Sequence, residues 1–142
     1  MGNPAMKGGR PVTKRIVLAE DDPLILKTTK LRLEHAGFEV VPATDGEEAL
    51  RRAAGHGVID LFLLDVKLPK LDGYEVCQRL KHDPATAKTP IIIVTGSAAH
   101  LVHLANRCRE LGVTDWLVKP FRSEELIETV RRALGEAGGA HV

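Results

Sequence analysis

Four places in this 142-residue chain carry residue types that could do chemistry, and each adjoins a short apolar run. Glu20-Asp21-Asp22 follows RIVLA, Asp65 closes LFLLD, Thr95-Gly96-Ser97 follows IIIV, and Lys119-Pro120 follows WLV. Carboxylates, a hydroxyl and an ammonium group brought together suit a hard divalent cation and a phosphoryl group, because Mg2+ takes oxygen ligands and lysine binds phosphate as a point charge. Two carboxylates about 4 Å apart repel by about 4 kcal/mol at an effective dielectric near 20. Three of them in one place therefore imply a counter-cation. Any one acid alone reads more simply as a cap or a solvated loop residue, and Asp22, directly before Pro23, is taken as a helix N-cap. Glu20, Asp21, Asp65 and Lys119 are read together as a site because separate segments agree.

What must position them is a regular alternation of elements. Strands are expected at 15–19, 38–42, 60–65, 90–94 and 114–118, all of strand length and several of them β-branched. Helices are expected at about 23–36, 46–55, 72–82, 98–111 and 123–135; Leu101, Leu104, Ala105, Cys108 and Leu111 show the spacing of three and four. Thr44 with Glu47 and Asp72 with Glu75 fit capping boxes, and Gly37, Gly55, Gly112 and Gly135 each follow a helical stretch. Runs such as IIIV and LFLL are apolar on both faces, which suits central parallel strands covered by helices on both sides. The fold class expected is α/β, a doubly wound sandwich. In such a sheet ligands bind outside the carboxyl ends of the strands, which is where all four polar clusters fall.

Composition narrows the function classes. The chain is 44% hydrophobic and 27% charged, which fits one folded domain. Its formal charge is +1, but Lys7, Arg10 and Lys14 precede the first strand with no acid among them. Setting those three aside leaves 17 basic against 19 acidic residues in 15–142, so a basic nucleic-acid-binding face is not expected. The expected organisation is a flexible tail over 1–14, a domain over 15–135 and a second tail over 136–142. Cys77 and Cys108 make no disulfide framework and read as small core residues, and no run of about 18 apolar residues occurs. A cytoplasmic protein without membrane insertion is expected. His100 and His103 share a helical face without a third ligand, and Gly55-x-Gly57 stands in the wrong order for dinucleotide binding.

The motifs LAEDDP (18–23), LLDVKLPKLDG (63–73), IIIVTGS (91–97) and WLVKPF (116–121), in this order, resemble the receiver domains of response regulators in two-component signalling, similar to CheY. The resemblance covers about residues 14 to 135. It implies a flavodoxin-like (βα)5 three-layer sandwich with a parallel sheet in the order 2-1-3-4-5. It implies that Asp65 accepts a phosphoryl group from a phosphohistidine of a sensor histidine kinase or a histidine phosphotransfer protein. Asp21 then matches the direct ligand of Mg2+ (or Mn2+), Glu20 its neighbour acting through water, and Lys67 the supplier of a main-chain carbonyl. Lys119 matches the lysine that pairs with the phosphoryl oxygens, Thr95 the hydroxyl that closes on them, and Pro120 the proline of a cis peptide.

Several positions keep two readings. Gly96 is either room for the phosphoryl group or a turn glycine. Trp116 is either the switch aromatic, where Tyr or Phe is commoner, or a core residue. The side chain of Lys67 either contacts the phosphoryl group or an acid, or points to solvent. The resemblance further implies a signalling acceptor that catalyses its own phosphorylation and dephosphorylation, not a turnover enzyme. The surface it switches would be formed by the fourth helix, fifth strand and fifth helix, where Leu101, Val102 and Leu104 either pack in the core or face a partner or a second copy. Two alternatives stand beside it: an interaction module that needs no phosphorylation, and the receiver part of a longer regulator. A dehalogenase-type phosphatase is disfavoured, since it wants an acid where Lys67 stands.

Overall fold

The computed structural model describes residues 13–96, 101–113 and 115–136, with the backbone of 6–7 and 10–11. Of Leu101, Val102, Leu104 and Ala105 only the backbone is described, so the expected apolar face of the fourth helix lies outside the described side chains, as do Ser97, His100 and most of both expected tails. Within the first of those tails, Met6–Lys7 pairs antiparallel with Arg10–Pro11.

The domain is built of β1 (Arg15–Ala19), α1 (Pro23–His35), β2 (Glu39–Ala43), α2 (Gly46–Gly55), β3 (Leu61–Asp65), α3 (Gly73–His82), β4 (Ile91–Thr95), α4 (Leu101–Leu111), β5 (Asp115–Val118) and α5 (Ser123–Ala133). The strands form one parallel sheet in the order β2-β1-β3-β4-β5. Because successive side chains of a strand point to opposite faces, each of β1 to β4 feeds two cores. On one face Val17, Phe62, Leu64, Ile91 and Ile93 pack with Ala49 of α2, Val76, Cys77 and Leu80 of α3, and Cys108 of α4. On the other, Ile16, Leu18, Leu61, Leu63 and Ile92 pack with Leu33 of α1 and Leu126 and Val130 of α5. This double burial is why IIIV and LFLL carry no polar alternation.

The boundaries differ from expectation in ways with physical causes. Phe38 is not part of β2: its N–H donates to Leu33 O at 3.1 Å and that of Gly37 to Glu34 O at 3.0 Å, closing α1 with Gly37 at φ +99°. The backbone N–H of Phe38 is thus spent on a helix cap while its ring joins the core. At α2 the N-cap is Asp45 and not Thr44. Asp45 Oδ1 accepts from Glu48 N at 2.7 Å, while Glu48 accepts from Thr44 N at 2.6 Å, so the cap sits one residue later than expected and the box expected for Thr44 with Glu47 does not form. Asp72 and Glu75 do form the expected box on α3. Gly55 ends α2 as a helical residue, and Gly57 takes the left-handed turn instead, at φ +68°.

Candidate functional site

The chain leaves β1 toward α1 and β2 on one side of the sheet and returns through β3 on the other, so a crevice opens between the carboxyl ends of β1 and β3. Glu20 is the first residue beyond β1, and its N–H still bonds Ala43 O of β2 at 3.0 Å. Asp22, two residues on, caps α1 by accepting from Leu24 N and Ile25 N at 2.9 and 3.1 Å. Asp21 is left between a strand end and a helix start, with its side chain exposed. Asp65 ends β3 opposite Val94 of β4, and Val66 N bonds Val94 O at 2.8 Å. Lys119, one residue past β5, donates its N–H to Thr95 O at 2.7 Å, and the Lys119–Pro120 peptide is cis. Each reactive residue is therefore anchored through the sheet's own main-chain bonds.

Carboxylate oxygens of Glu20, Asp21 and Asp65 all lie within 4.8 Å of one another. Glu20 and Asp65 are only 4% and 6% exposed. Among the described residues, charge neutralisation comes from Lys119, whose Nζ stands 2.6 Å from Glu20 Oε1 and 2.5 Å from Asp65 Oδ2. Burial raises the Glu20 carboxyl above its usual value, and the bonds from Lys119 and from Asp22 N offset this only in part. Burial by itself would depress Lys119, but its hydrogen bonds to Asp65 and Glu20 outweigh that and raise it, so the ammonium form is held. The second oxygen of Asp65, Oδ1, accepts from Lys67 N at 2.9 Å.

Other expected site residues fall around this centre. Thr95 is half-buried at the end of β4. Gly96 is exposed, and a Cβ built there would meet no atom within 4 Å, so the space beside Thr95 is open. Lys67 has an exposed side chain. Trp116 is 36% exposed on β5, the outer strand of the sheet, which corrects the core reading; its neighbour Leu117 is the β5 residue that joins the core on the other face. Sequence reasoning missed Gly73 as a contact and Asp45, Gly46 and Lys70 altogether. A Cβ at Gly73 would stand 2.3 Å from Asp65 O, so the glycine of LDG allows α3 to begin against the Asp65 carbonyl. The remaining three act between the loop after Asp65 and the start of α2, a contact between segments that no local pattern announces.

The donor set of this centre is all oxygen, from carboxylates gathered without enough positive charge beside them, and it fits a hard divalent cation. Asp21 and Asp65 would hold it, with the Lys67 carbonyl and with Glu20 at the margin.

Residues 16–131 match the family model of the response regulator receiver domain. Among curated relatives, the DNA-binding dual master transcriptional regulator RpaA of Synechocystis sp. is 38% identical over 122 residues, covering 84% of this chain and 48% of its own. The alkaline phosphatase synthesis transcriptional regulatory protein PhoP of Bacillus subtilis is 36% identical over 123 residues, covering 87% and 49%. The chain thus spans about half the length of these relatives. Among solved structures, the Vibrio cholerae chemotaxis protein CheY4 superposes with a TM-score of 0.80 at 30% identity, covering 86% of this chain and 99% of that one. The receiver domain of sensor histidine kinase PA1611 from Pseudomonas aeruginosa, solved with a magnesium ion coordinated in the active-site cleft, gives 0.76 at 30% identity and covers 88% and 100%.

Proposed function

This chain belongs to the response regulator receiver family of two-component systems, and from that premise we propose that it takes a phosphoryl group from a phosphohistidine onto Asp65. The observation that carries the reading is the buried pair Glu20 and Asp65 bridged by Lys119, with Asp21 beside them. In the transfer, a carboxylate oxygen of Asp65 attacks phosphorus, the P–N bond breaks, and its electron pair returns to the imidazole of the donor; the product is an acyl phosphate. Phosphoryl transfer asks a protein mainly for alignment and charge neutralisation. Lys67 N fixes one oxygen of Asp65 and Lys119 holds the other, so the carboxylate plane is set before a donor arrives. Lys119 can then follow the charge onto the phosphoryl oxygens, the open space at Gly96 admits them, and the Thr95 hydroxyl closes on them. Mg2+ held by Asp21 and Asp65 would supply further charge neutralisation to the transferring group.

The donor would be a sensor histidine kinase or a histidine phosphotransfer protein, with which the chain would share the cytoplasm. The domain acts as an acceptor that catalyses its own phosphorylation and dephosphorylation. Output runs through α4, β5 and α5, where Trp116 is exposed and Arg132 of α5 pairs with Asp115 of β5 at 3.0 Å; a homodimer through this face is part of the proposal. The relation to RpaA favours a second reading, that the domain controls DNA binding by a longer regulator. Nucleic-acid contact then belongs to residues outside 15–135, whose acids outnumber their bases. Among the described residues no helix is long and apolar enough to cross a membrane.

The test is incubation with acetyl phosphate or phosphorylated kinase and Mg2+, read by phosphate-affinity electrophoresis. Wild type should shift and Asp65→Asn should not. Failure of the wild type with every donor would overturn the reading.

A further inference from the structure

The loop 66–72 joins Asp65 to α3 and carries the carbonyl of Lys67. Its two ends are held by the site itself, through Lys67 N on Asp65 Oδ1 at 2.9 Å and Gly73 N on Val66 O at 2.8 Å. Its middle is held by a different element. Gly46, the first residue of α2, donates its N–H to Pro69 O at 3.1 Å, and Leu71 N donates to the same oxygen at 2.8 Å. The approach is so close that a Cβ on Gly46 would lie 2.0 Å from Leu71 O and 2.6 Å from Leu71 Cβ, which only glycine avoids. Between Pro69 and Leu71, Lys70 takes φ +70°, a conformation uncommon for side chains of its kind. Strained backbone persists only where its surroundings hold it. Here the Lys70 ammonium stands 3.5 Å from Asp45 Oδ2 and 4.0 Å from Glu47 Oε1, both at the start of α2. Leu71 packs against the core beneath.

Resting on the reading of Asp65 as a metal-dependent acceptor, we propose that the first turn of α2 positions the Lys67 carbonyl, so that Asp45, Gly46 and Lys70 set the affinity of the site for its divalent cation. None of the three touches the acids of the site. They are positioning residues that act through the loop: Lys70 is three residues from Lys67, and Pro69, which receives the bond from α2, is two. Outer partners that orient metal ligands commonly change affinity about tenfold to a hundredfold. The ion pair of Lys70 is exposed and therefore contributes less. Loss of that pair should weaken the cation about twofold to fivefold. Gly46→Ala, which must displace the Leu71 carbonyl, should weaken it about tenfold or more.

The experiment is a Mn2+ titration of the full chain followed by electron paramagnetic resonance, well below the unfolding temperature, with thermal midpoints measured separately in EDTA. Asp45→Asn keeps the helix cap, since asparagine caps as well as aspartate, and removes one charge of the pair. Lys70→Met removes the other. Each should weaken Mn2+ about threefold. The double variant should be no weaker than either single, as expected for one shared contact, and Lys70→Arg should bind as the wild type. Wild-type Mn2+ affinity in Asp45→Asn, Lys70→Met and Gly46→Ala would overturn the proposal, as would strict additivity of the two single losses. A loss of midpoint in EDTA with Mn2+ affinity intact would assign these residues to stability alone and overturn it too. A wild type that binds no Mn2+ would instead overturn the acceptor reading beneath it.

Discussion

Replacing Lys119 by methionine keeps most of the stem and removes the cation that, among the described residues, bridges Glu20 and Asp65. In the native chain the ammonium lies 2.6 and 2.5 Å from the two acids. Without it, two buried carboxylates with oxygens within 4.8 Å of each other repel by at least about 3 kcal/mol at an effective dielectric near 20. That agrees with the loss of about 3–5 kcal/mol usual when one partner of a buried ion pair is removed. The low end applies, because 20% of the Lys119 side chain is exposed. For a domain of this size each kcal/mol moves the thermal midpoint by about 4 °C, so Lys119→Met in EDTA should melt about 12 °C below the wild type. Mg2+ at about a hundred times its dissociation constant adds about 2.7 kcal/mol to a chain that binds it only when folded. In the wild type a cation held by Glu20 and Asp65 would share these carboxylates with Lys119, and in the variant it would not. The gap measured in EDTA should therefore narrow in saturating Mg2+. Melting by circular dichroism in both conditions decides it. A variant within about 3 °C of the wild type in EDTA, or an equal gain from Mg2+ in both chains, would refute the account of Lys119 as the counter-charge of this pair.

Burial pushes the thiols of Cys77 and Cys108 up to about 11, so neither is a thiolate at pH 8; iodoacetamide should leave the folded chain unmodified and label both in urea, and rapid native labelling would contradict this. Hydrogen bonding from Thr44 N holds the Glu48 carboxyl below its ordinary value. Its stabilisation is thus present above the unfolded pKa and lost as pH falls through the folded one. Glu48→Gln should lower the urea midpoint at pH 7 and converge with the wild type as pH falls through the folded pKa of Glu48, and a constant difference from neutral to acid pH would count against the linkage. Gly73→Ala must push apart α3 and the Asp65 carbonyl and should cost about 2 kcal/mol or more by urea unfolding. Lys67→Ala should change the lifetime of the acyl phosphate modestly, read as the decay of the phosphorylated band, and an unchanged decay would sink a role for that side chain.

The layers of the fold were legible because a doubly buried parallel strand and a one-sided helix leave different apolar periods. Boundaries were less so, since backbone N–H groups can be claimed by either neighbour. Phe38 has the composition of a strand residue, yet Leu33 O takes its N–H, and Asp45 outcompetes Thr44 because its carboxylate reaches Glu48 N while Glu48 turns back. Trp116 shows the limit of hydrophobicity as evidence of burial. Its neighbour Leu117 is buried to 2% in the same strand, while Trp116 points to the opposite face, and only the strand order shows that this strand is an edge.

The convergence of Glu20, Asp21, Asp65 and Lys119 was legible for a related reason: in a parallel sheet the carboxyl ends of the strands share one edge, so separate motifs can be placed in one crevice from sequence alone. What cannot be placed that way is the balance of charge inside the crevice. The motifs name three acids and one lysine, but not that the lysine spans two of the acids while Asp21 stays exposed. Nor can motifs show that the loop bearing the Lys67 carbonyl leans on α2. Gly46 and Lys70 look like an ordinary helix start and a solvated charge until a Cβ is found to have no room at one and the backbone to be left-handed at the other. Residues that make the chemistry stand at strand ends and are visible in sequence; residues that aim it are defined by contacts between segments, and those appear only with the fold.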